Sequence, residues 1–172
     1  SYKPLITADT LSVPKEMFCD SAWMSVSGQE LTQQNVIAMV KIMSDCIIKN
    51  EVPFCKLDSY AGDGDFGMSV AKGFRQLKQE WNEILKNGSS SIGQFLMECS
   101  MVIAESCGGA SGPIWGSAFR SAAIYAGEKT KLSLIEFAEL MQAVVAGVQK
   151  TGARSFGPGA EVGGKTLIDA LV

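Results

Sequence analysis

The stretch Asp58-Ser-Tyr-Ala-Gly-Asp-Gly-Asp-Phe-Gly67 places three carboxylates and three glycines in ten residues, directly before a patterned helix. The helix is predicted by apolar residues that recur on one face: Val70, Phe74, Leu77, Trp81 and Ile84. We expect Asp63 and Asp65 to point the same way along an extended segment, because side chains there alternate, and Asp58 to return from five residues upstream. Carboxylates this close repel one another unless a cation lies between them. Three oxygen ligands suit Mg²⁺.

A purely structural interpretation of this stretch stays open. The DGDFG segment is also typical of a simple turn in which Asp65 caps the following helix. An EF-hand is excluded, because a loop beginning at Asp63 would have Gly67 at its fifth position and Phe74 at its twelfth.

The composition excludes several classes of protein. The 172 residues carry a net charge of −3, and the basic residues are scattered, so we expect no nucleic-acid partner. Five cysteines without a CxxC pair and no signal peptide predict reduced thiols in a cytoplasmic protein, and no apolar run is long enough for a membrane span. The chain has no histidine, which excludes a Ser-His-Asp triad and the usual zinc ligand.

Hydrophobic periodicity predicts an all-α fold of antiparallel helices joined by short loops, with no strand. The predicted helices cover Leu31–Lys49, Gly67–Lys86, Ile92–Ser106, Ile114–Ala126, 133–150 and the beginning of another at Thr166–Val172. Glu51-Val-Pro53 is expected to end the first helix, and Ser133 with Glu136 fits a capping box.

The two ends of the chain differ in pattern from the middle. Residues 1–28 lack a clear period and are predicted to be a linker or N-terminal arm, while 29–172 form the domain. Since the sequence stops inside an apolar segment, we expect the domain to be incomplete at its C-terminus.

Two further glycine clusters follow the acidic turn. Gly108–Gly112 precedes a helix whose free N–H groups attract an anion, although its glycines could equally serve close helix packing. Residues 159–166 match GxxxxGK[ST], but no strand precedes them, so the pattern favours a flexible loop over a P-loop. In strict up-down topology both clusters fall at the same end of the bundle as the acidic turn, which predicts a Mg²⁺-nucleotide site.

These motifs together resemble the nucleotide-binding (L) domain of the dihydroxyacetone kinase family. The matching segments are Leu57-Asp-x-x-x-Gly-Asp-Gly-Asp-x-Gly67, Gly108-Gly-Ala-Ser-Gly-Pro113 and Gly163-x-Lys-Thr-Leu-Ile-Asp-Ala-Leu171, in the family's order. The resemblance covers roughly 31–172. It implies an antiparallel barrel of eight helices, here lacking its last helices, that holds ADP or ATP at one end through two Mg²⁺.

The resemblance also implies roles for individual residues. Asp58, Asp63 and Asp65 would be the metal ligands, and no residue of this chain is expected to act as a catalytic nucleophile or base. The residues expected near the nucleotide are Phe66, Gly67, Met68 and Ser69 at the phosphates, Ala110 and Ser111 at the second glycine turn, and Gly152 and Leu167 near the adenine or ribose.

Three functions stay open on this sequence. The first is the Mg-nucleotide part of a phosphotransferase that acts on a small ketose such as dihydroxyacetone, which the family holds through a histidine on a separate K-type domain or subunit. The second is a nucleotide-holding or regulatory subunit of a phosphotransferase system. The third is a degenerate domain. Phe66 stands where many members of the family have His or Thr, and Gly164 stands where the family usually has Asp. The segment alone is expected to be inactive, and self-association into a homodimer is a further expectation.

Overall fold

The computed structural model describes residues 30–60 and 62–156, including the side chains of all but the last two of these residues. Within these ranges the chain forms seven helices: α1 (Gln33–Lys49), α2 (Glu51–Asp58), α3 (Phe66–Gln79), α4 (Trp81–Asn87), α5 (Ile92–Ser106), α6 (Ser111–Ala126) and α7 (Leu134–Phe156). The predicted all-α class is confirmed. The predictions for residues 1–28, for Leu167 and for a helix at Thr166–Val172 concern residues outside the described ranges.

Two short strands correct the prediction that the chain has none. β1 (Glu30–Thr32) pairs antiparallel with β2 (Lys131–Ser133), with Leu31 opposite Leu132. Each strand has three residues, too few for an alternating pattern to stand out in the sequence. The pair joins the beginnings of α1 and α7 at the end of the bundle opposite the acidic turn.

Two helices contain a proline that was interpreted as a boundary, so that α2 was not predicted and α6 begins earlier than predicted. Pro53 is the third residue of α2, and Pro113 is the third residue of α6. The first turn of a helix has no intrahelical partner for its N–H groups, so proline is tolerated there. Glu51-Val-Pro53 therefore opens a helix, and α6 begins at Ser111 rather than Ile114.

Two other boundaries differ from the prediction. The helix expected over Gly67–Lys86 is interrupted at Glu80, which has φ −90° and ψ 6°, so that α3 and α4 are separate. The helix α7 continues through Gly152, which was expected to begin a loop. A break or extension of this kind leaves the apolar spacing intact, so periodicity does not locate it.

The core lies where α3, α5 and α6 meet. Phe74 is fully buried and makes an edge-on contact with Trp115, with ring centroids 5.5 Å apart, and a tilted contact with Phe119. Glycines allow the helix backbones to approach: a Cβ at Gly93 would lie 2.7 Å from the carbonyl oxygen of Ala123. Among the described helices, none is both long and apolar enough to cross a membrane.

The predicted capping box at the start of α7 is present. The N–H of Glu136 donates to Ser133 Oγ, and the N–H of Ser133 donates to Glu136 Oε2 at 2.8 Å. Together with Lys129 Nζ, 3.2 Å from the other carboxylate oxygen, these contacts hold the pKa of Glu136 below its ordinary value of 4.5.

We expect Glu136→Gln to make stability less dependent on pH. A glutamine keeps the capping hydrogen bond but loses the charge. Because the folded-state pKa is lowered, the charge stabilises the fold above about pH 4.5, and this contribution disappears as the pH falls through the folded-state pKa. Urea unfolding at pH 7 and at about pH 3.5 should show a smaller loss of stability in the variant at the lower pH than at pH 7. Glu105→Gln, at an exposed position of α5, controls for the loss of one charge; an equal pH-dependent loss in that control would contradict the prediction.

Candidate functional site

The three aspartates of the acidic turn come together at the beginning of α3. One carboxylate oxygen from each of Asp58, Asp63 and Asp65 lies within 4.8 Å of the other two. Asp63 and Asp65 are exposed and Asp58 is half-buried. The convergence predicted from the sequence is therefore present in the fold.

The local geometry behind this convergence differs from the prediction. Gly64 has φ +81°, a left-handed conformation that favours glycine, so 63–65 is a turn rather than an extended segment. The N–H of Asp65 faces Asp63 Oδ1 at 3.4 Å. The two side chains are brought together by a tight turn and not by strand alternation.

Asp58 holds the turn closed. It is the last residue of α2, and its Oδ2 accepts the N–H of Gly64 at 2.9 Å and the N–H of Phe66 at 3.2 Å. A Cβ at Gly62 would lie 2.6 Å from Asp58 Oδ1, so the chain passes very close to this carboxylate. Asp58 thus anchors the backbone that carries the other two aspartates.

The helix-capping interpretation of Asp65 is not supported by its contacts. Asp65 occupies the N-cap position of α3, but its side chain makes no capping hydrogen bond. Asp58 instead accepts the first N–H of that helix. The hydrogen bond and charge of Asp63, with a smaller effect from Asp58, raise the pKa of Asp65 above its ordinary value. This repulsion is what a bound cation would relieve.

The residues that follow the turn divide into two groups. The ring of Phe66 lies against that of Phe54, with centroids 6.2 Å apart, and lines an apolar groove along α1 with a volume of about 650 Å³. Its N–H is occupied by Asp58, so Phe66 has no free polar group for a phosphate. Gly67 is buried against α2, while Met68 is exposed and Ser69 is half-buried.

The second glycine turn lies against the beginning of α3, as the up-down topology predicts. The N–H of Gly108 donates to the carbonyl oxygen of Ser69 at 3.0 Å. Gly109 has φ +51° and open space around it, and Ala110 precedes α6 without a side-chain cap. The N-termini of α3 and α6 therefore lie side by side at the rim that carries the aspartates.

The third predicted element reaches the same rim only in part. Gly152 is buried within α7, and the neighbouring Thr151 Oγ1 donates to Ser117 Oγ on α6 at 2.8 Å. Ser117 in turn donates to the carbonyl oxygen of Gly147. These contacts make α6 and α7 antiparallel and direct the end of α7 toward the second glycine turn.

The four described cysteines are free thiols, as predicted. Cys55 was not singled out in the sequence, yet its Sγ accepts the N–H of Met68 at 3.3 Å and lies 2.9 Å from the position that a Cβ of Gly67 would take. Burial raises the pKa of Cys107, next to the second glycine turn, to about 11. No sequence signal marks Cys55, because its role depends on the close approach of α2 and α3.

Comparison with known proteins agrees with this arrangement. A sequence model described as the DAK2 domain matches residues 60–172. The chain belongs to the DAK2 domain family. Within this family it is 34% identical over 116 residues to the protein named PEP-dependent dihydroxyacetone kinase 2, ADP-binding subunit DhaL, of Listeria innocua, covering 67% of this chain and 50% of that subunit.

Other DAK2 relatives include both separate subunits and longer proteins. The chain is 32% identical to the corresponding ADP-binding subunit DhaL of Escherichia coli, covering 67% of the chain and 51% of that subunit. It is 35% identical to human triokinase/FMN cyclase, of which the alignment covers only 18%. The chain spans about half the length of these two DhaL subunits.

Proposed function

We propose that this DAK2 domain is the Mg-nucleotide-binding part of a kinase of the dihydroxyacetone type. In this function it holds ATP or ADP in the cytoplasm, while a separate domain or subunit holds the ketose that receives the phosphoryl group. The observation that carries the proposal is the convergence of three carboxylates at the N-terminus of a helix. The names of the relatives, which include ADP-binding subunits and an L-erythrulose kinase, support it.

The donor set fits magnesium. Three carboxylates supply only oxygen ligands, Asp63 and Asp65 are exposed enough for water to complete the shell, and the raised pKa of Asp65 indicates uncompensated negative charge. We therefore assign the metal to Asp58, Asp63 and Asp65. Bound Mg²⁺ would neutralise phosphate charge, which is the main requirement of phosphoryl transfer.

The chain's own contribution to phosphate binding would come from the backbone. The N-termini of α3 and α6 each present a helix dipole, and the hydrogen bond from Gly108 to Ser69 keeps the two together. Gly67, Met68 and Ser69 would contact phosphates from α3, and Ala110 and Ser111 from α6. Phe66, which stands where the family usually has His or Thr, would contribute through shape rather than through a polar contact.

Gly152 and Leu167 remain proposals for the base and ribose. Gly152 is consistent with this role because α7 ends toward the same rim, at the contact between Thr151 and Ser117. Leu167 rests on the motif alone.

A second function is favoured by the names of some relatives. Two relatives are named as ADP-binding subunits of a PEP-dependent and a PTS-dependent dihydroxyacetone kinase, so their names give a phosphoryl donor other than ATP. In that case the nucleotide on this chain would serve as a bound carrier and not as a consumed substrate. Following ADP release during turnover of the complete enzyme separates the two, since only an ATP-consuming kinase releases one ADP per phosphorylated ketose.

Calorimetric titration with ADP tests the proposal directly. We expect the chain, carried in its complete protein, to bind ADP when MgCl₂ is present at about 5 mM, so that the carboxylate site is supplied with Mg²⁺. We expect this binding to be lost in EDTA. Titration with Mg²⁺ alone is the control for metal uptake without nucleotide. No heat with MgADP would contradict the proposal and favour a degenerate domain.

A further inference from the structure

We infer that the outer face of α2 is the surface on which the substrate-holding domain docks. This face, called here the α2 face, consists of Val52, Pro53, Lys56, Leu57 and Tyr60. The inference rests on the proposed function, because it names where the partner of the same site binds.

The α2 face is defined by helical periodicity. Residues of α2 that are half-buried lie on one side, toward α3: Glu51, Phe54, Cys55 and Asp58. The residues in between are all exposed, so a full turn of 3.6 residues divides the helix into an inner and an outer face. None of its eight residues is fully buried.

The composition of the α2 face is the reverse of what solvent exposure favours. Val52 is 76% exposed, Leu57 62% and Tyr60 77%, and Lys56 is the single charge among them. Single exposed apolar residues are common, but three on one side of an eight-residue helix, with Tyr60 two residues beyond its end, form a patch of the kind that marks protein contacts. Exposed tyrosine with aliphatic neighbours is typical of such interfaces.

The position of the α2 face identifies the partner. Asp58 is the last residue of α2, and Tyr60 follows it by two residues. Phosphoryl transfer requires the acceptor to come within about 3–3.5 Å of the phosphorus, so the protein part that holds the acceptor must contact the surface around the aspartates. The α2 face is an apolar surface next to them.

The relatives supply the second argument for this partner. Some carry a matching domain as a separate subunit, and in L-erythrulose 1-kinase of Mycolicibacterium smegmatis the alignment covers only 24% of the protein. A domain that performs one part of a reaction must meet the rest at its site. The partner surface should be apolar with a carboxylate opposite Lys56, since this lysine would otherwise be desolvated without a counter-charge.

A lysine footprint tests the contact in the complete kinase. In the complete kinase, acetylation of Lys56 by an N-hydroxysuccinimide ester should be at least about fivefold slower than acetylation of Lys41, because a docked surface removes solvent access. Lys41, exposed on α1, is the internal reference for a lysine outside the contact. Equal reactivity of Lys56 and Lys41 would overturn the inference.

Substitution of the α2 face separates docking from nucleotide binding. Val52→Ser with Leu57→Ser should lower turnover of dihydroxyacetone by the complete kinase at least about tenfold, as expected for loss of central apolar contacts, while MgADP affinity stays unchanged. The matched control is Ile124→Ser with Ile135→Ser, two residues that are 65% and 73% exposed at the opposite end of the bundle. The control should keep full turnover.

Each other outcome has a distinct meaning. Unchanged turnover in the Val52/Leu57 variant, with normal MgADP binding, would overturn the docking site but leave the proposed function intact. A lower melting temperature of the variant chain alone would show that another segment of the same chain covers the α2 face, which also overturns the inference. Absence of MgADP binding by the unmodified protein would instead refute the proposed function itself.

Discussion

Asp63→Asn and Asp65→Asn are each expected to weaken MgADP binding by about a hundredfold or more, with no loss of helical structure. Each substitution removes one negative charge from a cluster whose carboxylate oxygens lie within 4.8 Å of one another. Asparagine keeps the shape, and its amide oxygen can still face the N–H of Asp65 as Asp63 Oδ1 does at 3.4 Å. Calorimetry with MgADP and far-UV circular dichroism give the two measurements.

The stability of these variants distinguishes a metal site from a structural turn. The raised pKa of Asp65 means that its charged form is disfavoured by Asp63 in the folded chain, so Asp65→Asn should be at least as stable as the parent at pH 7. Asparagine caps a helix as well as aspartate does, so Asp65→Ala is the variant that tests the cap. It should lose about 1 kcal/mol of stability only if Asp65 caps α3. Asp45→Asn on α1 is the control. It removes an exposed ion-pair partner of Lys78 and should bind MgADP normally. Normal MgADP binding by both Asp63→Asn and Asp65→Asn would refute the metal assignment.

Asp58 is expected to behave differently from the other two aspartates. Its Oδ2 accepts two backbone N–H groups, from Gly64 and Phe66, so its loss opens the turn as well as removing a ligand. The sequence predicted three equal carboxylates, and no pattern in it distinguishes the one that also organises the loop. That distinction depends on hydrogen bonds between residues six and eight positions apart.

The helical class and the location of the site were predictable because both rest on local signals. The apolar spacing of α5 gave its bounds at Ile92 and Ser106. The up-down alternation of the helices placed the second glycine turn at the same end as the acidic turn, where Gly108 lies beside Ser69. This argument needs only the number of helices between two loops, so errors in the predicted ends of those helices do not affect it. The break at Glu80 did not disturb it, because α3 and α4 together still make one crossing.

The missed strands depend on contact between elements distant in sequence. β1 and β2 form because Leu31 and Leu132 pair across about a hundred residues of chain, a span that follows from their positions. The helix α2 was missed because Pro53 was given its usual meaning as a terminator, whereas the first turn of a helix accepts it. Propensity alone cannot decide between those two meanings.

Gly67→Val is expected to destabilise the fold by about 3 kcal/mol or more, the upper range for forcing extra carbon atoms into a closely packed site. A Cβ at Gly67 would overlap the carbonyl oxygen of Glu51 and lie 2.8 Å from the backbone nitrogen of Cys55. Backbone atoms of α2 cannot turn aside as a flexible side chain does, so α2 must move away from α3. The small gain in helix propensity from replacing glycine, less than about 0.5 kcal/mol for valine, does not offset this.

The same displacement should reach the metal site. Asp58 ends α2 and bonds to Phe66 at the beginning of α3, so separating the two helices pulls Asp58 from the turn that it closes. We therefore expect Gly67→Val to lose MgADP affinity together with stability, measured by urea unfolding and calorimetry on the same samples. Met68→Val is the matched control: the position is adjacent on α3 but 58% exposed, and stability should change by less than about 1 kcal/mol.

If Gly67→Val kept the parent's stability, α2 and α3 would not be held as closely as their backbone contacts require. If it lost stability but retained full MgADP affinity, Asp58 would not depend on that contact for its place in the site.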